Sequence, residues 1–207
     1  MNVLVACEYS GIVRSAFAAK GHNAWSCDLL PTDIPGQHIV GDINYWILGA
    51  PMISALRKDM QADIDKPWDL MIAHPPCTHL AVSGARWFKG KEKEQEEALR
   101  FVSRLLNAPI PKICLENPVS IISSKIRKPN QIIQPWQFGH PEAKKTCLWL
   151  KNLPILKPTN VLEKPECGYW DNQTPSGQNK LGPSENRWKE RSKTYEGIAL
   201  AMVETWG

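Results

Sequence analysis

Residues 69–77 read DLMIAHPPC, an apolar run that stops at two consecutive prolines. A short apolar run bounded by turn residues is typical of a strand buried in a sheet. The prolines fix an extended turn and leave no backbone donors to continue a strand ladder. We therefore predict a buried strand over Asp69–His74, with Cys77 held at the edge of the sheet.

The same pattern, an apolar run followed by polar residues, recurs along the chain. It predicts strands over Asn2–Cys7, Asn23–Cys27, His38–Val40, Lys112–Leu115 and Thr146–Leu150. Helical stretches separate them, from Gly11 to about Lys20, from Asn44 to about Met60, over Lys91–Leu106 and over Tyr195–Trp206. Strands that alternate with helices indicate an α/β fold, with a mostly parallel central sheet and helices on both faces.

The composition fits a single domain over residues 1–207, with 43% hydrophobic and 22% charged residues. Residues 154–193 are rich in Pro, Gly, Asn, Gln, Ser and charge, which predicts an irregular surface excursion. No apolar run approaches the roughly 20 residues that span a bilayer, and the N-terminus lacks the pattern of a signal peptide. We expect a cytoplasmic protein with no membrane partner.

The six cysteines form no CxxC pair and have no zinc-type spacing. We therefore expect reduced thiols and no metal. The net charge of +4 is compatible with a nucleic-acid partner without requiring one.

Polar residues follow the ends of the first five predicted strands. In open parallel sheets, ligands bind beyond the carboxyl ends of the strands, so these residues predict a site. They are Glu8 and Ser10, Asp28, Asp42, Cys77, and the pair Glu116 and Asn117.

Gly11 and Asp28 favour a nucleoside-type ligand. A glycine between a strand and a helix lets the backbone approach a ligand and frees the helix amides. An acidic residue at the end of the second strand is placed to accept hydrogen bonds from ribose hydroxyls. An ordinary turn and a surface carboxylate would give the same two residues.

Cys77 is a candidate nucleophile, because a reactive cysteine needs partial exposure and a setting that favours the thiolate. His74, His79 and Arg86 could supply the positive charge. A free cysteine in a proline turn is the alternative interpretation.

Glu116 and Asn117 would suit the pairing edge of a pyrimidine. The acid can donate to or protonate a ring nitrogen, while the amide fixes the orientation. A helix cap, with Asn117 capping and Pro118 at the first helical position, is the alternative.

Taken in order, these motifs resemble those of the DNA cytosine-C5 methyltransferase family, and the pattern is similar to its small phage-encoded members. Tyr9-Ser10-Gly11 is similar to the family's cofactor turn, and Cys27-Asp28 lies where the family has its acidic ribose ligand. Gly41-Asp42-Ile43 resembles the segment whose aspartate contacts the adenine.

The catalytic motifs of the family are matched further along the chain. Pro76-Cys77, with Ser83-Gly84 downstream, is similar to the catalytic loop. Glu116-Asn117 resembles the motif that contacts the target cytosine, and residues 142–146 loosely resemble a Gln-x-Arg-x-Arg motif.

The resemblance implies a Rossmann-like class I methyltransferase fold and the cofactor S-adenosyl-L-methionine. The cofactor-binding residues would be Glu8, Tyr9, Ser10, Gly11, Asp28, Leu29, Asp42, Ile43, His74 and Pro76. The catalytic residues would be Cys77, which adds to C6 of cytosine, with protonated Glu116 at N3 and Asn117 beside it. The substrate-binding residues would be Ser83, Arg86, Lys144, Thr146, Arg187 and Arg191.

The family's large target-recognition domain has no counterpart here, since residues 154–193 are about forty residues, too few for a sizeable core of their own. Basic residues near Trp188 could contact a nucleic-acid strand, or they could form a solvated basic loop. Besides DNA, a free pyrimidine nucleotide or RNA could be the substrate. A third reading is a non-catalytic protein with a methyltransferase fold that binds nucleic acid or a host protein. A homodimer is compatible with the sequence, and a phage-encoded protein would act in the host cytoplasm.

Overall fold

A computed structural model describes residues 1–47, 67–182, 184–185 and 187–207. The strands in these ranges are β1 (Asn2–Ala6), β2 (Asn23–Asp28), β3 (His38–Val40), β4 (Leu70–Ala73), β5 (Lys112–Pro118), β6 (Gln131–Ile133) and β7 (Thr146–Lys151). The α-helices are α1 (Ile12–Ala19), α2 (Glu92–Leu106), α3 (Ile122–Lys125), α4 (Arg187–Ser192) and α5 (Glu196–Trp206). Short 3₁₀ helices lie at Ile43–Tyr45, Val82–Trp87 and Pro135–Gln137.

The described strands form one sheet in the order β3-β2-β1-β4-β5-β7-β6. The pairs from β3 to β5 are parallel, whereas β7 runs antiparallel to both β5 and β6. The predicted α/β fold with a mostly parallel sheet is therefore confirmed. The order changes direction between β1 and β4, which makes the carboxyl ends of these two strands the switch point where a ligand crevice is expected.

Helices cover both faces of the sheet, as predicted. Val3 and Val5 of β1 point to the face covered by α1 and α5, where Met202 is fully buried. Leu4 points to the opposite face, where Leu105 of α2 is fully buried. The alternation follows from the two-residue period of a strand.

Strand β5 is longer than the sequence predicts. It continues through Glu116 and Asn117 to Pro118, because β7 pairs with it residue by residue along this length. Glu116 and Asn117 are thus strand residues, and the alternative of a helix cap at Asn117 and Pro118 is wrong. Strand β6 and helix α3 are not predicted, because their three and four residues are too short for a periodic pattern.

Two predicted segments, the helix after β3 and the irregular stretch after β7, are described by the structure to different extents. The helix expected from Asn44 to about Met60 is described only at its start, where Ile43–Tyr45 form a 3₁₀ helix, and residues 48–60 lie outside the described ranges. Residues 154–182 contain turns and isolated bridges, and α4 follows them. Within the described ranges, no helix is long and apolar enough to cross a bilayer.

Helix α5 docks through Gly197. A Cβ atom there would collide with the backbone oxygen of Phe138 and lie 3.1 Å from His140 Nε2. Glycine normally weakens a helix by about 1 kcal/mol relative to alanine. We nevertheless expect Gly197→Ala to lower the free energy of unfolding by about 1–3 kcal/mol, because the clash forces the helix off the sheet.

Chemical denaturation of the purified variant measures this effect. Gly182→Ala is the matched control, since a Cβ at Gly182 meets nothing within 4 Å. A stabilised Gly197→Ala protein would contradict the close docking of α5.

Candidate functional site

A cavity of about 210 Å³ opens beyond the carboxyl ends of β1 and β2, next to the switch point. Five of the residues predicted to bind a cofactor line it, namely Asp28, Leu29, Asp42, Ile43 and Pro76. Segments distant in sequence therefore bring these predicted residues together. The sequence analysis missed its other lining residues, which are Cys7, Cys27, Gly41 and Phe101.

The missed residues differ in how visible they are in the sequence. Cys27 and Gly41 directly precede the two aspartates, so their adjacency is a usable signal. Phe101 belongs to the apolar stripe of α2, which predicts burial but not a cavity wall. Cys7 has a positive φ of 59°, a strained backbone conformation for a residue with a side chain, and nothing in the sequence signals it.

The cavity combines carboxylates with apolar walls. Asp28 is half-buried at the end of β2, and burial raises the pKa of its carboxyl group, although the hydrogen bond from the Leu30 amide opposes this. Asp42 is exposed and accepts hydrogen bonds from the backbone amide of Asn44 at 2.9 Å and from its side chain at 2.8 Å. Leu29, Ile43 and Phe101 supply apolar surface. This set suits a ligand with hydroxyl groups and a flat apolar ring.

Glu8 fills the N-terminus of α1. Its carboxylate accepts hydrogen bonds from the amides of Val13 at 2.7 Å and Arg14 at 3.2 Å, and from the hydroxyl of Ser10 at 3.3 Å. Burial raises the pKa of Glu8, while the charge of His74 and the two amides oppose the rise. Amides that would otherwise bind a phosphate are therefore used by the protein itself.

Tyr9 and Gly11 make contacts within the chain. The Tyr9 hydroxyl donates to the Lys189 carbonyl at 2.7 Å, and its ring lies 6.0 Å from that of Trp188. Gly11 has a φ of 74°, and a Cβ there would lie 2.6 Å from Arg14 Nη2. These two residues and Glu8 and Ser10 shape the turn after β1, and none of the four lines the cavity.

Cys77 lies in a tight turn after β4. Its carbonyl accepts hydrogen bonds from the amides of Leu80 and Ala81, and the residue is partly exposed. Burial raises the pKa of Cys7, Cys114 and Cys147, and that of Cys27 to about 12, which keeps these four thiols protonated.

Lys144 supplies positive charge to this region. Its ammonium donates to the carbonyls of Arg191 at 2.8 Å and Lys193 at 3.4 Å. Burial lowers the pKa of Lys144, while the negative charges of Glu116 and Cys77 act in the opposite direction. Lys144 therefore brings positive charge near Glu116 and Cys77.

Glu116 and His74 form a nearly buried ion pair. His74 Nδ1 lies 3.2 Å from Glu116 Oε2, and both side chains are 11% exposed. Burial opposes charge on both groups, yet their mutual attraction and hydrogen bond outweigh it, so the pKa of His74 is raised and that of Glu116 is lowered. His74, predicted to bind the cofactor, therefore contacts the predicted catalytic acid.

Asn117 fixes the proline loop. Its side-chain amide donates to the Pro75 carbonyl at 2.9 Å, which ties the loop before Cys77 to β5. Its Oδ1 is buried and has no hydrogen-bond partner within the described ranges. Buried acceptors are rarely left unpaired, so this oxygen is available to a ligand donor.

The predicted substrate-binding residues other than Lys144 lie in three places. Ser83 and Arg86 lie on the exposed 3₁₀ helix after the Cys77 turn, with the Arg86 guanidinium 5.0 Å from the Trp87 ring centre. Thr146 is buried and donates to the Lys144 carbonyl, so its contact is within the chain. The remaining two, Arg187 and Arg191, are on α4.

The comparison with known proteins gives a weak structural likeness. The sequence matches no protein-family model and no curated protein. The chain is similar in structure to a protein described as a candidate DNA modification methyltransferase encoded within an E. coli prophage, with 16% sequence identity and a TM-score of 0.48. The match covers 78% of this chain and 52% of the other, so the chain spans about half the length of that protein.

The His74–Glu116 pair predicts a pH-dependent stability. Because the pKa of His74 is raised in the folded protein, protonated His74 stabilises the fold. This stabilisation is complete below pH 6.5, the ordinary pKa of histidine, and is lost as the pH rises through the folded-state pKa. Because the pKa of Glu116 is lowered in the folded protein, ionised Glu116 also stabilises the fold. This second stabilisation is complete above pH 4.5 and is lost as the pH falls through the folded-state pKa. We therefore expect Glu116→Gln to lower the free energy of unfolding most between pH 4.5 and 6.5, by about 1.5–3 kcal/mol. The loss should be smaller at alkaline pH.

Urea denaturation at a series of pH values measures the difference between wild type and variant. Glu96→Gln is the control, because Glu96 pairs with Arg100 on α2 while their side chains are 65% and 62% exposed. An exposed pair of this kind contributes about 0.5 kcal/mol or less. A cost of Glu116→Gln that is the same at every pH would rule out the ion pair.

Proposed function

We propose that this chain is an S-adenosylmethionine-dependent methyltransferase that methylates C5 of cytosine in DNA through a covalent adduct with Cys77. One observation carries the proposal. Cys77 follows β4 and Glu116 lies on the neighbouring strand β5. Asn117 ties the two elements together, and Pro76 of the loop before Cys77 lines the cavity that holds Asp28. A nucleophile, an acid and a nucleoside-sized cavity thus meet at one edge of the sheet.

The cavity suits the cofactor's nucleoside. Asp28 would accept hydrogen bonds from the ribose hydroxyls, and Leu29, Ile43 and Phe101 would enclose the adenine. Glu8 adds an independent argument, because its carboxylate already uses the amides at the start of α1. A dinucleotide would need those amides for its pyrophosphate, whereas S-adenosylmethionine has no phosphate group.

The reaction begins with addition of the Cys77 thiolate to C6 of the cytosine. Lys144 carries the positive charge that interacts with Cys77. Glu116 stabilises the ring at N3, and C5 becomes nucleophilic. The cofactor, when bound, supplies an electrophilic methyl group for C5. Loss of the C5 proton to a base then allows elimination of Cys77, which regenerates the free thiolate.

Helix α4 favours nucleic acid over a free nucleotide. Its carbonyls at Lys189 and Arg191 accept hydrogen bonds from Tyr9 and Lys144, so the helix is anchored beside the site. Trp188 of this helix is 51% exposed and Arg191 is exposed. Exposed aromatic and basic side chains suit the bases and phosphates of a strand. A cytosine in a duplex would have to be flipped out to reach Cys77.

Mass spectrometry of nucleosides from cells that express the protein tests the methyl transfer. Wild-type protein should produce 5-methylcytosine, and Cys77→Ala should produce none above background, because no other thiol replaces the attacking group. Cys167→Ala is the matched control, since Cys167 is exposed and contacts the Tyr169 carbonyl. Full activity of Cys77→Ala would disprove the covalent mechanism.

Calorimetry with S-adenosylhomocysteine tests the cofactor separately. Asp28→Asn should weaken binding about 10- to 100-fold, because hydrogen bonds to a charged group contribute about 1.5–3 kcal/mol. Asp33→Asn serves as the control, since Asp33 lies on the following loop and pairs with Lys193 at 3.6 Å. Equal affinities of wild type and Asp28→Asn would remove Asp28 from the cofactor site.

A further inference from the structure

The proposed reaction needs a proton that Glu116 does not hold at rest. Glu116 Oε2 lies 3.2 Å from His74 Nδ1 and accepts a longer hydrogen bond from the Thr194 hydroxyl at 3.5 Å. Two hydrogen-bond donors thus contact the same carboxylate oxygen, and such donors stabilise the ionised form of the group. As the Cys77 thiolate adds to C6, however, N3 of the cytosine becomes basic and must receive a proton.

His74 is the neighbour best placed to supply it. Lys144 also faces Glu116, but its ammonium is engaged with two backbone carbonyls. The hydroxyl of Thr194 is too weak an acid to serve. The imidazole of His74 is in direct contact with Glu116, and it is the side chain whose charge changes near neutral pH.

The surroundings of His74 favour its protonated form. Glu116 on β5 and Glu8 after β1 both act on it with negative charge, and the ammonium of Lys144 before β7 opposes them. Asp28 at the end of β2 also senses its charge. His74 Nε2 is buried and has no hydrogen-bond partner within the described ranges. The contact of Nδ1 with Glu116 is therefore the route by which the ring can pass on a proton.

We propose that His74 is a positioning residue that stores the proton which Glu116 delivers to N3 of the cytosine. The inference rests on the proposed function. A bond forms between Cys77 Sγ and C6, and the electron pair displaced from the ring is taken up at N3. One proton leaves His74 Nδ1, passes through the Glu116 carboxyl group and ends on N3. The thiolate and the imidazolium are neutralised together, and Glu116 ends as it began, as a carboxylate.

Single-turnover methyl transfer to a cytosine-containing oligonucleotide, measured from pH 5.5 to 9, tests the role of His74. The wild-type rate should stay constant as the pH rises to the raised pKa of His74, and it should fall above that pH. His74→Gln should lose at least about tenfold in rate at neutral pH, with its fall beginning at lower pH. The loss should shrink towards pH 5.5, where solvent protonates Glu116 more readily. Binding of oligonucleotide and S-adenosylhomocysteine should be unchanged.

His22→Gln is the matched control, because His22 contacts the N-terminal amine and the Phe17 ring, away from the site. A readout independent of turnover is the NMR titration of the His74 ring, whose pKa should fall in Glu116→Gln. Parallel pH profiles of wild type and His74→Gln, with an active wild type, would overturn this inference alone. A wild type without methyl transfer would overturn the proposed function and this inference with it.

Discussion

The antiparallel pairing of β5 with β7 determines where the candidate catalytic groups lie. Asn117 is paired with Cys147 and Glu116 with Leu148, so both polar side chains project from rigid backbone beyond the point where β4 has already ended. From there the Asn117 amide holds the Pro75 carbonyl, and Glu116 holds His74. Side chains on strands keep their geometry better than side chains on loops, and the turn that carries Cys77 takes its position from this pairing.

The strands that apolar runs predicted are present with small changes at their ends, because burial on both faces of a parallel sheet requires continuous apolar sequence. The length of β5 could not be predicted in this way. It depends on pairing with β7, about thirty residues further along the chain, and polar residues are tolerated in a strand once a partner satisfies their backbone groups. Strand β6 is stabilised by the same partner, and its three residues carry no pattern of their own.

The candidate site was predictable to the level of the sheet edge. The rule that ligands bind beyond the carboxyl ends of parallel strands selected Asp28 and Asp42, and both line the cavity. The rule does not predict which of these side chains are engaged in hydrogen bonds or ion pairs within the protein. Glu8 uses its carboxylate on the amides at the start of α1, and His74 contacts Glu116. The second contact depends on the pairing of β4 with β5, which the sequence alone does not establish.

The docking of α5 beside α1 has a consequence for how the protein acquires its structure. Val13 and Phe17 of α1 share one apolar cluster with Ile198 and Met202 of α5, so segments nearly two hundred residues apart complete the same face of the sheet. Contacts of such large sequence separation slow folding, because the entropy of closing the intervening loop is lost before the contacts form. During synthesis, α1 therefore emerges long before its covering partner, and we expect the sheet to remain open on that face until α5 has been made.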